Sequence, residues 1–240
     1  MTSGFYLPNP VLLTDAFTLL GIALVQCAAG LRLLRWLPQP AWLQQPEKRH
    51  PLGWTGGVRG LGLGAGFVCL VLVLLAWPVG DAQLPLAGYV RGISGDLSVS
   101  LVLLALLDGA RCYWLPDSTR WLRGFAQEFK VLAGVVAAAA VVLYPLALGI
   151  GNWDPYRLGW PGNAAPLLIA LLLLCCVCLL RFGLWLLPAL VALAALGWSA
   201  GLLESTNLWD YLLDPWLALL CLAYTLRRLC KTCFNRSVQQ

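Results

Sequence analysis

Residues 167–203 read LLIALLLLCCVCLLRFGLWLLPALVALAALGWSAGLL, and the number of times this run crosses a membrane decides the fold. As one helix rising 1.5 Å per residue it would be about 55 Å long, against a bilayer core of about 30 Å. Arg181-Phe182-Gly183 interrupts the apolar run near its middle. Two short spans joined by a tight inner turn resolve the mismatch, with Arg181 reaching the headgroups. A single span would invert everything after it and place Arg227, Arg228, Lys231 and Arg236 outside, against the retention of Lys and Arg on the cytoplasmic side.

The rest of the chain fits the same map. Hydrophobic residues make up 60% of the 240 and charged residues only 11%, with a mean hydropathy of +0.77. A soluble domain carries about 25% charged residues. The apolar stretches fall at about 11–36, 61–79, 93–115, 131–150, 166–181, 183–203 and 210–227, forming a single polytopic domain over 1–240. With the N-terminus outside and the C-terminus cytoplasmic, all 16 Lys and Arg except Arg91 and Arg157 lie on the inner side. The expected fold is therefore an all-α bundle of about seven transmembrane helices. Of the nine cysteines, none falls in an outer loop, which suits a reducing interior and an oxidising exterior. Trp77, Trp153, Trp160, Trp198, Trp209 and Trp216 mark the outer interface; Trp36, Trp54, Trp114, Trp121 and Trp185 mark the inner one.

Several segments carry more detail. Residues 1–10 contain no Lys or Arg, so the first helix is expected to stay as a span and not to be cleaved as a signal peptide. Gly60, Gly62, Gly64 and Gly66 open span 2 with spacings that let helix backbones approach closely, and Ala137–Ala140 do the same in span 4. Residues 117–130 are too charged to cross. Trp121, Phe125 and Phe129 recur there at i, i+4 and i+8, which predicts a cytoplasmic amphipathic helix on the inner interface.

Candidate chemistry gathers on the outer face. Asp15, Asp81, Asp96, Asp154, Glu204, Asp210 and Asp214 are outside or near the outer interface. Asp96 and Ser100, four apart, would share a face at the outer end of span 3, with Ser94 as its cap. Together with Asp154, Arg157, Asp210 and Asp214 they form the candidate outer polar site, able in principle to bind a cation, relay protons or act on a lipid headgroup. A structural role competes at each position. Asp154-Pro155 and Asp214-Pro215 match a helix N-cap followed by Pro at the first helical position. Asp108 and Arg111, three apart at the inner end of span 3, read as a structural ion pair.

Other classes are excluded. One histidine, His50, lies in a loop, which removes bis-His haem ligation. Cys230-x-x-Cys233 would need two more zinc ligands, with Cys112 and His50 as the only plausible donors, and it lacks the setting of a redox motif, so a bystander role is expected. Neither a phosphate-binding Gly-Lys loop nor a nucleophile elbow appears. No cofactor and no metal are expected. The net charge of +5 borders apolar spans instead of forming a basic soluble face, so nucleic acid is not an expected partner.

Three functions remain open at this point. The first is a non-catalytic multi-pass subunit or assembly partner of a larger envelope complex, with the lipid bilayer and another membrane protein as its partners. The second is a small transporter or permease using Asp96 in span 3. The third is a membrane enzyme acting on lipid or lipid-linked headgroups through Asp96, Asp154, Asp210 and Asp214. Short loops and the lack of a soluble domain point to a bacterial cytoplasmic (inner) membrane.

Overall fold

A computed structural model describes residues 10–36, 69–80, 84–114, 120–162 and 165–237. Of these, 79% are α-helical, and the only strands are two-residue β1 (Pro78–Val79) and β2 (Leu84–Pro85), paired antiparallel. The fold is all-α. In chain order the helices are α1 (Pro10–Trp36), α2 (described over 69–76), α3 (Leu86–Ser94), α4 (Val99–Trp114), α5 (Arg120–Ala147), a 3₁₀ turn (Pro155–Gly159), α6 (Ala165–Arg181), α7 (Leu186–Ser199), α8 (Leu208–Leu212) and α9 (Pro215–Ser237).

Within α5, Gly124–Ala147 is 24 residues with a mean hydropathy of 2.1, long and apolar enough to cross a membrane. The pair α3 and 99–108 of α4 passes the same test together but is bent by 120°. Thr14–Gly30, Ala165–Arg181 and Leu186–Ser199 are apolar but shorter. The described residues thus hold one span-length helix, or two with the bent pair, where the sequence reading expected about seven.

Three local differences have physical causes. The expected interfacial helix and span 4 are one continuous helix, α5, because no turn-forming residue separates Glu128 from Val131. Span 3 is not continuous. Gly95 takes φ +68, a left-handed value that ends α3, and Ser98 restarts the chain as N-cap of α4 by accepting the Leu101 N–H at 3.1 Å. β1 falls at the end of the expected span 2, and β2 and α3 occupy the loop expected before span 3.

Two compact units divide the chain: residues 1–15, 97–101 and 118–240 in the larger, 16–96 and 102–117 in the smaller. In the smaller, Ala23, Leu75 and Ala87 form a buried cluster with Leu19, Val71 and Val90 against it. Gly21 is required there, since a Cβ would stand 2.9 Å from Val102 Cγ2.

In the larger unit α5 packs on α9. The buried stripe on α5 is Leu132, Ala133, Ala137, Ala140 and Leu143, and on α9 it is Leu217, Ala218 and Cys221. Small residues at these positions let two helices approach closely. The opposite faces stay uncovered: Val141, Val142, Leu171, Leu174, Val177, Leu219 and Leu220 are all exposed.

One device ends three of these helices. At α5, α6 and α7 the chain closes with paired hydrogen bonds, Ile150 N–H to Pro145 O with Gly149 N–H to Leu146 O, Leu184 to Leu179 with Gly183 to Leu180, and Leu202 to Gly197 with Gly201 to Trp198. This is the Schellman arrangement, and the glycine it favours sits at φ +89, +71 and +63 respectively. The turn after Arg181 anticipated by the sequence is therefore a real helix stop. Gly183 lies in the four-residue break between α6 and α7.

Candidate functional site

The expected outer polar site resolves into a set of fasteners in the larger unit. Asp154 is the N-cap of the 3₁₀ turn: its Oδ1 accepts the Tyr156 N–H at 2.9 Å, and Pro155 occupies the first position. Asn207 caps α8 by accepting the Trp209 N–H at 2.9 Å, and its Nδ2 donates to Tyr156 O at 3.1 Å. Trp209 Nε1 donates to Pro155 O at 3.0 Å. The Tyr156 hydroxyl donates to Asp210 Oδ1 at 2.6 Å, and Ser205 Oγ donates to Asp210 Oδ2. The 3₁₀ turn and α8 are thus locked together by polar groups of both segments. Gly159 makes the closeness possible, since a Cβ there would collide with Asn207 Oδ1.

Asp214 is the deepest of the described acids, at 4% exposure. Oδ1 accepts the Leu217 N–H at 2.8 Å, the N-cap bond of α9, and Oδ2 accepts the Ser98 N–H at 2.7 Å, just ahead of α4. One carboxylate therefore ties the first turn of α9 to the residue that opens α4 through two charge-assisted hydrogen bonds. Ser100 Oγ donates to Tyr211 O at 3.5 Å. Tyr211 is itself buried, its hydroxyl accepting the Leu203 N–H at 3.1 Å and donating toward Ser205 O at 3.0 Å. Thr14 Oγ1 donates to Gly201 O at 3.2 Å.

Asp154, Asp210 and Asp214 thus come together with Ser100 in the larger unit, and Arg157 lies exposed on the same 3₁₀ turn. Asp96 departs from its expected place. It lies in the non-helical stretch after α3, outside any first turn of span 3, and pairs with Arg91 at 3.0 Å within the smaller unit. The expected i, i+4 face with Ser100 is absent because the helix starts only at Val99. Ser94 sits at the end of α3 and donates to Val90 O instead of capping a following helix. Asp108 is half-buried, but the Arg111 side chain lies outside the described residues, as do His50, Asp81, Cys112, Cys233 and the Gly60–Gly66 face. Among the described residues no group of three or more His, Cys, Asp or Glu is placed to hold a metal ion.

Sequence reasoning missed Glu128. From α5 its Oε2 accepts both the Trp185 N–H at 2.6 Å and the Leu186 N–H at 2.5 Å, capping α7 just after the Gly183 turn. Glutamate in an amphipathic segment reads as a solvated face, and nothing local marks it as the cap of a helix 57 residues on. Phe129, one residue further, meets Tyr224 of α9 edge-on at 5.2 Å. These two contacts bring the first third of α5, the α6–α7 turn and the middle of α9 together. Beside these contacts Lys130, Arg181, Arg227, Arg228 and Lys231 are exposed, with Glu128 among them, while Asp154, Asp210 and Asp214 gather about the start of α9.

Two predictions arise here. E128A is expected to cost about 1–2 kcal/mol through loss of the cap, and E128Q less because its amide oxygen still accepts. Thermal unfolding in mild detergent checks it; equal midpoints for E128A and the wild type would rule out a capping role. The second concerns Tyr156. Burial, the hydrogen bond to Asp210, and the charges of Asp210, Tyr144 and Asp154 all push its phenol above the ordinary value. The folded state then binds the proton more tightly than the unfolded chain. Its contribution to stability is complete below pH about 10 and is lost as pH rises through the folded pKa. In alkaline difference spectra Tyr156 is expected to ionise after the exposed tyrosines, so the late step should lose amplitude, by one tyrosine, in Y156F.

No protein-family model matches this chain, and comparison with curated proteins and with solved structures finds none similar to it.

Proposed function

We propose that this chain is a non-catalytic, multi-pass subunit or assembly partner of a larger membrane complex, lying in a bacterial cytoplasmic membrane with its C-terminus inside. The carrying observation is the employment of the outer acids. Asp154 and Asp214 accept backbone N–H groups at helix starts, and Asp210 holds Tyr156 and Ser205. Carboxylates committed to caps and clamps are poor general bases and poor ion ligands, because using them opens the fold. Asp96, on which transport would rest, is paired with Arg91.

The membrane part of the proposal draws on α5 and on the uncovered apolar faces of α5, α6 and α9. Contiguous apolar surface of this kind marks a lipid or protein interface. The seven-span arrangement adds the short helices α6 and α7 as a hairpin about the Gly183 turn, with cations at the inner end and acids at the outer. Purification of the tagged chain from its native membrane in mild detergent, with mass spectrometry of what accompanies it, tests the role. A stoichiometric membrane-protein partner is expected. A solitary monodisperse monomer would count against the proposal and return weight to transport, tested with D96N.

A further inference from the structure

We propose that the basic end of the larger unit is a recognition surface for anionic phospholipid headgroups, with Arg227, Arg228 and Lys231 of α9 and Arg181 of the α6–α7 turn holding lipid phosphates. The inference rests on the membrane reading above and adds a specific partner to it.

The first argument is charge. Lys130, Arg181, Arg227, Arg228 and Lys231 are exposed, and none of them forms an ion pair with a described residue. Glu128, the acid described beside the turn, has an oxygen engaged by two backbone N–H groups. Arg227, Arg228 and Lys231 follow one another at i, i+1 and i+4, so Arg227 and Lys231 lie on one helix face. Juxtamembrane cations of this kind attract anionic headgroups.

The second argument is neighbouring chemistry. Phe182 is 81% exposed and Trp185 66% exposed, flanking Gly183 at the same end. Bare aromatic rings beside cations suit the headgroup layer, where one side of the ring meets acyl chain and the other meets water.

The third argument is depth. Residues 215–226 make about 18 Å of apolar helix before Arg227 begins. The outer end of α9 is fixed by Asp214. A bilayer core of about 30 Å exceeds that length, so the guanidinium groups reach phosphates by extending downward while the bilayer thins around them. Only the two responses together put Arg227 and Arg228 at phosphate depth. Bidentate guanidinium–phosphate pairing then has the geometry it needs.

The test reconstitutes the full chain in phosphatidylcholine bilayers carrying a trace of spin-labelled phosphatidylglycerol or spin-labelled phosphatidylcholine. Electron paramagnetic resonance gives the motionally restricted fraction of each. The expected result is a severalfold preference for phosphatidylglycerol that collapses between about 0.05 and about 1 M salt. The preference should fall toward one in R227Q/R228Q/K231Q and fall in part in R181Q. Equal restriction of both lipids by the wild type would overturn the proposal while leaving the membrane reading intact. So would a wild-type preference retained in both variants. If neither lipid shows a restricted fraction, the membrane reading fails and this inference falls with it. Should the triple variant not fold, R181Q and the salt dependence still decide.

Discussion

The D214A variant is expected to unfold about 6–20 °C below the wild type in mild detergent. Asp214 is 4% exposed and accepts two buried backbone N–H groups, from Ser98 at 2.7 Å and from Leu217 at 2.8 Å. Alanine leaves both without their protein acceptor. Each orphaned donor costs about 1–3 kcal/mol, and loss of a charged acceptor lies at the upper end. The total is about 3–5 kcal/mol, at about 2–4 °C per kcal/mol for a chain of this size. The unfolding is scored as an apparent midpoint at fixed scan rate, since such proteins unfold irreversibly. D214N separates the two contacts. Asparagine caps as well as aspartate, so the Leu217 bond survives. Its amide NH₂ then meets the Ser98 N–H, donor against donor, and that variant should fall between the other two. A D214A midpoint within about 2 °C of the wild type would remove Asp214 from the scaffold and reopen a chemical role for it.

G159A is expected to be nearly as damaging, for a steric reason. A Cβ at residue 159 would collide with Asn207 Oδ1 and stand 2.7 Å from Trp209 Cδ1. Asn207 has no free rotamer to retreat to: it is 0% exposed, caps α8 and ties Nδ2 to Tyr156 O. Relief requires lifting the 3₁₀ turn off α8, which also strains the Trp209–Pro155 and Tyr156–Asp210 bonds. Overpacking costs about 1–3 kcal/mol, and the buried polar bonds lost with it bring the total to about 3 kcal/mol or more. Hydrogen exchange across 151–162 should accelerate together. A double-mutant cycle makes the mechanism visible. N207A alone loses the cap, and in that background G159A should add much less than it does in the wild type. Full additivity would mean that the two residues do not meet.

The capping acids were legible from sequence because their geometry is local. Asp154-Pro155 and Asp214-Pro215 are each followed by the helix they cap. The stop at Arg181-Phe182-Gly183 was legible for the same reason: a glycine in a left-handed conformation closes a helix within six residues. Asp96 was misplaced by one local detail. The apolar run conceals that Gly95 breaks the backbone and that Ser98, not Ser94, restarts it. Contacts between distant parts of the chain left no trace. The second Asp214 bond joins residues 116 apart, the Glu128 cap joins residues 57 apart, and the Asn207–Tyr156 bond joins residues 51 apart. Each uses an ordinary polar residue whose partner only the tertiary fold supplies. The amphipathic period of 120–130 was real, but periodicity could not say that the helix would run on into the apolar segment.

The measurement that bears most directly on the account is topology mapping in the living membrane at the two ends of the larger unit. Alkaline phosphatase, active only outside, is inserted after Gly162 and after Gly183, and a fluorescent protein active only inside is fused after residue 240. The account predicts an active enzyme at Gly162, an inactive one at Gly183 and a fluorescent C-terminus. Activity at Gly183, or a dark C-terminus joined to an active phosphatase at the same point, would contradict the α6–α7 hairpin and the inner placement of Arg227 and Arg228.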